Sequence, residues 1–366
     1  MRCCLNCRMS NVGKSSNFEI GSSNNIVLAL ISAILDVVSS FPISYVVVFS
    51  FQAFQEANLR IVELRFALGI LVATAALSLL GGCSTMNRYD DLKVLPFERP
   101  PHVAKSTNAP PRLGIAFGGG GVRGFVHLGV LRALDEAGIR ADVVTGTSAG
   151  AIAASLYASG MTYSDIETVV GAVSEHDLAD MVIDRQGMLK GQALADWIDR
   201  VIGHRRIREL PIALGIAVTD LTNGRPLLVV DGDVGQAVQA SATVPGVFVP
   251  VQSNGVTLVD GGILSLVPVR FAREMGAEVV VAVDIYCGGH VKLKGTAVDT
   301  VMKTFRLQSC LLNKDEAAEA DFLIRPSFEP ASPTSFEQRE EAAAVGYREM
   351  KKLLPALRKR LEPISK

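Results

Sequence analysis

Short apolar stretches alternate with stretches of helical periodicity from Leu113 to Val283, and this alternation most constrains the fold. Such alternation is typical of a largely parallel sheet whose two faces are covered by the connecting helices. We therefore predict an α/β protein of three layers, α/β/α, with a mainly parallel central sheet. The predicted strands are residues 113–117, 142–145, 212–219, 227–230, 257–259 and 278–283, and the predicted helices are residues 124–137, 149–159, 163–174, 192–202 and 234–240.

Composition excludes several classes of function. The chain has 366 residues, 49% of them hydrophobic, and a formal net charge of −1, which gives no electrostatic case for binding nucleic acid. Its six cysteines do not form a disulfide framework in our interpretation, and Cys287 and Cys310 lie far apart in the sequence. With few histidines and no paired Cys-x-x-Cys units, we expect neither a metal site nor a cofactor.

Two apolar stretches, residues 26–54 and 66–82, precede the predicted sheet. The second follows Arg60 and Arg65 and ends in a Leu-Gly-Gly-Cys sequence at Cys83, which resembles a bacterial lipobox. That resemblance implies cleavage before Cys83, lipid attachment to its sulfur, and anchoring to a membrane of the bacterial cell envelope, facing the periplasm. An uncleaved transmembrane helix is the alternative, because 17 apolar residues are at the short limit for spanning a bilayer.

A run of glycines, residues 118–121, separates the first predicted strand from a helix that begins near Gly124. Backbone N–H groups at such a helix start favour a negatively charged partner. Three interpretations remain open: a dinucleotide phosphate site, since Gly119, Gly121 and Gly124 fit Gly-x-Gly-x-x-Gly; an oxyanion hole; or a tight turn. The dinucleotide pattern also requires an acid at the end of the second strand, and that strand instead runs into Ser148.

Ser148 lies in the sequence Gly146-Thr147-Ser148-Ala149-Gly150, between a predicted strand and a predicted helix. A Gly-x-Ser-x-Gly motif at this junction predicts a nucleophile elbow, in which a sharp turn holds the serine hydroxyl above the sheet. The flanking Gly146 and Gly150 have no side chains that would crowd the turn. A chance match in a glycine-rich chain is the alternative.

A serine nucleophile needs a base, and the histidines are poorly placed to supply it. His127 lies inside the first helix, where packing is the simpler role, and His290 follows two glycines after the last strong strand. The remaining candidate is Asp260, which ends a strand and is followed by Gly261 and Gly262. A turn residue that caps backbone donors is the alternative role for Asp260. Partial desolvation would raise its pKa from about 3.9 and improve it as a base.

Taken together, these motifs resemble the patatin-like phospholipases, especially their bacterial members. The sequences GGGGVRG, GTSAG and DGG occur in the order and spacing of that family, and the resemblance covers about residues 113–284. The segments ASATVPGVFVP (residues 240–250) and AVTDLTNG (residues 217–224) also fit. One departure is the sequence Ser265-Leu266-Val267-Pro268 after the DGG motif, where the family often has an asparagine before the proline. We therefore expect either the support of the Asp260 loop or the substrate preference to differ.

The resemblance implies a patatin-like fold and a serine–aspartate dyad without histidine. It makes Ser148 the nucleophile and Asp260 the base, and it places Arg123 at the basic position of the family. The oxyanion hole is then the backbone of Gly119, Gly120 and Gly121.

The implied activity is that of a lipid acyl hydrolase acting on carboxylic esters of membrane lipids or similar molecules through an acyl-enzyme. A membrane-tethered lipid-binding protein without catalysis, and a nucleotide-binding module, are the alternatives. We expect four segments: an N-terminal extension with a targeting segment (residues 1–82), a proline-rich tether (83–111), the catalytic domain (112–285), and a C-terminal strand and helical tail packed on the core (286–366). Residues 1–58 have no assigned role.

Overall fold

The computed structural model describes residues 86–97, 110–289 and 295–363. The strands are β1 (Lys93–Pro96), β2 (Leu113–Phe117), β3 (Val143–Thr147), β4 (Ala213–Asp220), β5 (Arg225–Asp231), β6 (Val251–Ser253), β7 (Val256–Asp260), β8 (Val279–Val283) and β9 (Phe322–Ile324). The α-helices are α1 (Phe125–Glu136), α2 (Ala149–Ala158), α3 (Tyr163–Ala172), α4 (Gln192–Ile202), α5 (Val234–Ser241), α6 (Val269–Glu274), α7 (Ala297–Leu312), α8 (Lys314–Ala318) and α9 (Arg339–Leu361).

All nine strands belong to one sheet, in which the main order is β1-β5-β4-β3-β2-β8-β9. Strands β4, β3, β2, β8 and β9 run parallel to one another. Strand β5 pairs with β4, and β1 with β5, in antiparallel fashion. The β6–β7 hairpin pairs with β4 in antiparallel fashion. The predicted α/β fold with a mainly parallel central sheet is confirmed.

The two faces of the sheet bury different hydrophobic cores, of which two are the larger, because successive side chains of a strand point to opposite faces. On β2, Leu113, Ile115 and Phe117 enter the larger core with residues of α1, α2, α4 and α9, whereas Ala116 enters a smaller core with residues of α6 and α8. Helices therefore cover both faces, which gives the three layers.

The stretch before β2 differs from its prediction as a tether. Residues 86–97 belong to the folded domain: β1 pairs with β5, and Tyr89 and Leu92 are buried in the larger core. The tether prediction for residues 83–111 is therefore wrong over 86–97, because several apolar side chains of this segment pack on the domain. Residues 1–82, with the predicted targeting segment, and Cys83 lie outside the described residues.

The chain after β8 completes the domain. Strand β9 extends the parallel edge beside β8, and α9 packs along α1. These helices approach at backbone distance, since a Cβ added at Gly346 would lie 1.9 Å from the carbonyl oxygen of Val126. Within the described part of the chain, no helix is both long enough and apolar enough to span a membrane.

A disulfide joins Cys287, in the loop after β8, to Cys310 on α7. Our interpretation that the cysteines form no disulfide was wrong for this pair. The two residues are 23 positions apart, but α7 runs back beside the loop and brings their Cα atoms within 5.6 Å. That distance lies inside the range that a disulfide requires.

Candidate active site

Ser148 occupies the sharp turn between β3 and α2 with φ 54° and ψ −121°. Residues with side chains seldom adopt this backbone conformation, which costs on the order of 1–3 kcal/mol. The two motif glycines make the turn possible: a Cβ at Gly146 would lie 2.4 Å from the carbonyl oxygen of Gly150, and one at Gly150 would lie 2.1 Å from that of Phe117. The sequence therefore builds the predicted elbow.

Strand β4 brings Asp260 to the elbow despite their separation along the chain. Ala217 of β4 is the partner of Thr147 in the parallel pair with β3, and the next residue, Val218, is the partner of Asp260 in the antiparallel pair with β7. Two adjacent residues of one strand thus align the end of β3 with the end of β7. Ser148 is 8% exposed and Asp260 is 7% exposed.

The side chain of Ser148 lies close enough to the carboxyl group of Asp260 to lower its pKa. Burial raises this pKa to about 6, and the Gly262 N–H and the nearby Ser148 side chain oppose that rise. Oδ1 of Asp260 accepts the Gly262 N–H at 2.7 Å, so Asp260 also caps the short turn that follows β7. Its two predicted roles, as a partner of the serine and as a turn residue, are therefore compatible in one conformation.

The glycine loop lies against the elbow. A Cβ at Gly119 would be 3.3 Å from Cβ of Ser148, and one at Gly124 would be 2.9 Å from Cβ of Ala149. The Gly119 N–H is already engaged, since it donates to the carbonyl oxygen of Leu266 at 3.0 Å. The prediction of Gly119 as an oxyanion donor is therefore corrected. Among the described residues, the N–H groups of Gly120 and Gly121 have no recorded hydrogen-bond partner.

The glycines after Asp260 allow a third loop to enter the same site. A Cβ at Gly261 would lie 2.3 Å from the carbonyl oxygen of Ala217 and 3.1 Å from Cγ2 of Thr147. A Cβ at Gly262 would lie 2.9 Å from Oδ1 of Asp260. Close backbone packing at these glycines therefore brings the third loop against the elbow.

His127 supports the glycine loop and does not contact the serine. Its ring is fully buried, and Nε2 lies 2.9 Å from the carbonyl oxygen of Gly118. Burial lowers the pKa of His127 to about 4, which keeps the ring neutral at neutral pH, so Nε2–H donates to Gly118. Within the described residues no histidine is hydrogen-bonded to Ser148, and His290 lies outside those residues.

The model of the family described as Patatin-like phospholipase matches residues 115–273. This range contains the glycine loop, the elbow and the Asp260 loop. The matched part of the chain is similar to the patatin-like phospholipase family.

Curated relatives share this patatin-like region. An uncharacterized NTE family protein of Mycobacterium tuberculosis is 30% identical over 181 residues, which are 49% of this chain and 50% of the relative. Human patatin-like phospholipase domain-containing protein 6 is 34% identical over 181 residues, which are 47% of this chain and 13% of the relative. The chain thus spans half or less of the length of these relatives. The crystal structure of VipD from Legionella pneumophila aligns over 77% of this chain and 73% of its own, at 18% identity and a TM-score of 0.45, too low to support an argument.

Ser241 fixes the elbow of the patatin-like domain and was not predicted as a site residue. Its hydroxyl accepts the N–H of Ser148 at 2.8 Å and donates to the carbonyl oxygen of Ala217 at 2.6 Å. The signal was present, because Ser241 is part of the ASATVPGVFVP segment that resembles the family. The peptide N–H of Ser148 is thereby held within the site.

Arg123 lies behind the glycine loop rather than in the open. Nη1 donates to the carbonyl oxygen of Gly120 at 3.3 Å, and the guanidinium forms an ion pair with Glu329 and lies over the ring of Tyr286. The Gly120 carbonyl and the Gly121 N–H belong to one planar peptide and point in opposite directions. By holding the carbonyl, Arg123 therefore orients the Gly121 N–H. No sequence motif pointed to Glu329, which lies far beyond the matched region.

Proposed function

We propose that this protein is a lipid acyl hydrolase that cleaves carboxylic esters through an acyl-enzyme, with Ser148 as nucleophile and Asp260 as base. The observation that carries the proposal is that the strand register brings a serine on a strained elbow beside a buried carboxyl whose pKa is raised to about 6. A carboxylate with this pKa is ionised at neutral pH, yet it is a better proton acceptor than an ordinary aspartate. Desolvated acid–base groups of this kind are typical of catalytic sites.

In the proposed reaction, Oγ of Ser148 attacks the ester carbonyl carbon while Asp260 takes the hydroxyl proton. The carbonyl oxygen becomes an oxyanion, which the N–H groups of Gly120 and Gly121 stabilise. Loss of one such donor typically raises the barrier by about 3 kcal/mol. The intermediate expels the alcohol, which takes the proton from Asp260. Water then attacks the acyl-enzyme and gives a proton to Asp260. That proton returns to Ser148 Oγ as the carboxylic acid leaves.

The surface next to the site favours a lipid ester over a small soluble one. Helix α7 reaches the Asp260 loop, where the Ser309 hydroxyl donates to the carbonyl oxygen of Gly262. None of the exposed positions from 300 to 312 carries a charge. An exposed apolar surface of this kind is typical of contact with a membrane or a partner. The exposed large apolar residues of α7 are Val301, Met302, Phe305, Leu307, Leu311 and Leu312.

A fluorophosphonate probe together with ester hydrolysis tests the proposal. We expect the wild type to be labelled, Ser148→Ala to lose both labelling and hydrolysis, and Asp260→Asn to lose nearly all hydrolysis while remaining folded. Ser155→Ala is the matched serine control, since Ser155 is buried on α2 and its hydroxyl donates to the carbonyl oxygen of Ile152. A folded wild type that is neither labelled nor active on phospholipid, lysophospholipid or acylglycerol would favour lipid binding without catalysis.

A further inference from the structure

The junction between α7 and α8 contacts the loop that carries Asp260, although it lies outside the region that matches the family. Three side chains of this junction bind the loop. The hydroxyl of Ser309 donates to the carbonyl oxygen of Gly262, Oδ1 of Asn313 accepts the Leu266 N–H at 2.8 Å, and the Glu316 carboxyl accepts the Ser265 hydroxyl at 3.2 Å. The loop therefore takes its support from a distant part of the chain.

Asn313 is connected through Leu266 to the glycine loop. Leu266 gives its N–H to Asn313 and receives the Gly119 N–H at its carbonyl oxygen, at 2.8 Å and 3.0 Å. Both Leu266 and Asn313 are buried. Because a buried N–H without a partner is costly, these bonds fix the position of Leu266 closely. A shift of Leu266 would move Gly119, and with it the neighbouring amides of Gly120 and Gly121.

Glu316 is connected through Ser265 to the elbow. The carbonyl oxygen of Ser265 accepts the Thr147 hydroxyl at 2.8 Å, and Thr147 immediately precedes Ser148. Glu316 is 5% exposed and also accepts the Arg270 N–H at 3.1 Å. A buried carboxyl is tolerated only when it is hydrogen-bonded, so Glu316 holds both the loop, at Ser265, and the first turn of α6, at Arg270.

From these contacts we infer that Asn313 and Glu316 are positioning residues of the proposed esterase centre, acting through Leu266 and Ser265 on the glycine loop and the elbow. This inference rests on the proposed function. The two contacted residues, Ser265 and Leu266, lie in the segment where the sequence departs from the family.

The test compares Asn313→Leu, which removes the acceptor at similar size, with Asn313→Asp, which keeps an oxygen facing the Leu266 N–H. With a soluble ester, we expect Asn313→Leu to lower kcat by about 10- to 100-fold with little change in KM, as displaced catalytic groups do. We expect Asn313→Asp to recover most of that loss. The matched control is Glu319→Gln, because Glu319 pairs with Arg270 at the surface and does not touch the loop.

Hydrogen exchange of peptides covering residues 118–123 provides a readout that does not depend on activity. We expect faster exchange there in Asn313→Leu, with α9 unchanged. Unchanged exchange and unchanged kcat in folded Asn313→Leu would overturn the inference. If the wild type is inactive and unlabelled but exchange still rises in Asn313→Leu, the proposed function is wrong. The structural connection from Asn313 through Leu266 to the glycine loop is then still supported.

If Asn313→Leu does not fold, Ser265→Ala is the variant that tests the inference. This variant breaks the Ser265 hydroxyl contact with Glu316 and leaves the bonds to the Leu266 backbone in place. We expect a smaller fall in kcat and faster exchange in peptides that cover the elbow. No change in either measurement would overturn the role of Glu316.

Discussion

The raised pKa of Asp260 predicts a specific acid limb in the pH profile of ester hydrolysis. Burial raises this pKa from 3.8 to about 6. A base must be deprotonated to act, so activity follows the ionised fraction of Asp260. With a pKa of about 6, roughly nine tenths of the enzyme is competent at pH 7 and roughly one tenth at pH 5. With an unperturbed pKa of about 3.8, activity would hardly change between these pH values.

The assay is kcat/KM for a soluble short-chain ester between pH 4.5 and pH 8, since this quantity reports the groups of the free enzyme. We expect a fall of about tenfold for each pH unit below the inflection near pH 6. The pH profile is not affected by the solubility of a lipid substrate, because the short-chain ester is soluble at every pH used.

Two other carboxyl groups titrate in the same range and need controls. Burial, with help from the nearby Asp233, raises the pKa of Asp199 to about 6, and burial raises that of Glu316 to about 7. We expect Asp199→Asn to keep the inflection, because Asp199 lies on α4 and hydrogen-bonds the Gly235 N–H, away from the elbow. We expect Glu316→Gln to keep it too, whatever its effect on kcat. An inflection near pH 4 in the wild type, or one that moves in Asp199→Asn, would refute the assignment to Asp260.

Three further predictions concern stability and processing. Between pH 3.8 and about 6 native Asp260 binds more protons than unfolded Asp260, so this group lowers the free energy of unfolding as pH rises through that window and keeps it lower above it. Asp260→Asn should therefore raise the melting temperature at pH 7, with a gain of at most about 3 kcal/mol in the free energy of unfolding. A lowered melting temperature would contradict this. The Cys287–Cys310 disulfide closes a loop of 23 positions, so its reduction should lower the free energy of unfolding by about 3 kcal/mol in denaturant titrations. Cys287→Ser is the control, because its stability should not respond to reductant. Finally, the intact mass of the native protein should correspond to a chain that begins at lipid-modified Cys83, and a mass that retains the preceding residues would rule out the lipoprotein hypothesis.

Local pattern was sufficient to predict the layered fold and most of its elements. The periodicity from Leu113 to Val283 reports side chains that alternate between two buried cores, and helix α4 has the predicted bounds. Strands β1 and β6 and helices α6, α7 and α8 were missed. Strand β1 is short, contains a proline and is largely exposed, and α7 exposes apolar side chains, which weakens its helical pattern. Their places are determined by partners distant in the sequence.

The same limit applies within the site. Motifs mark positions where a side chain would clash and positions that carry a reactive group. The elbow glycines and Asp260 could therefore be predicted from the sequence. They do not report which amides are already used: the Gly119 N–H is lost to Leu266, a residue with no motif of its own. Likewise, Asn313 and Glu316 are ordinary helical residues in the sequence, and only the fold shows that they face the Asp260 loop.

The burial that raises the pKa of Asp260 also makes the folded state costlier at neutral pH, and the strained backbone of Ser148 adds to that cost. A site of this kind persists only where its surroundings fix it from several sides. Here Ser241 holds the N–H of Ser148, Arg123 holds the carbonyl of Gly120, and Asn313 holds Leu266. Variants of these three supports should therefore relax the site before they unfold the domain. Activity should then decline at temperatures where circular dichroism shows that the sheet is still intact. If activity and the circular dichroism signal are lost at the same temperature, the site does not unfold separately from the domain.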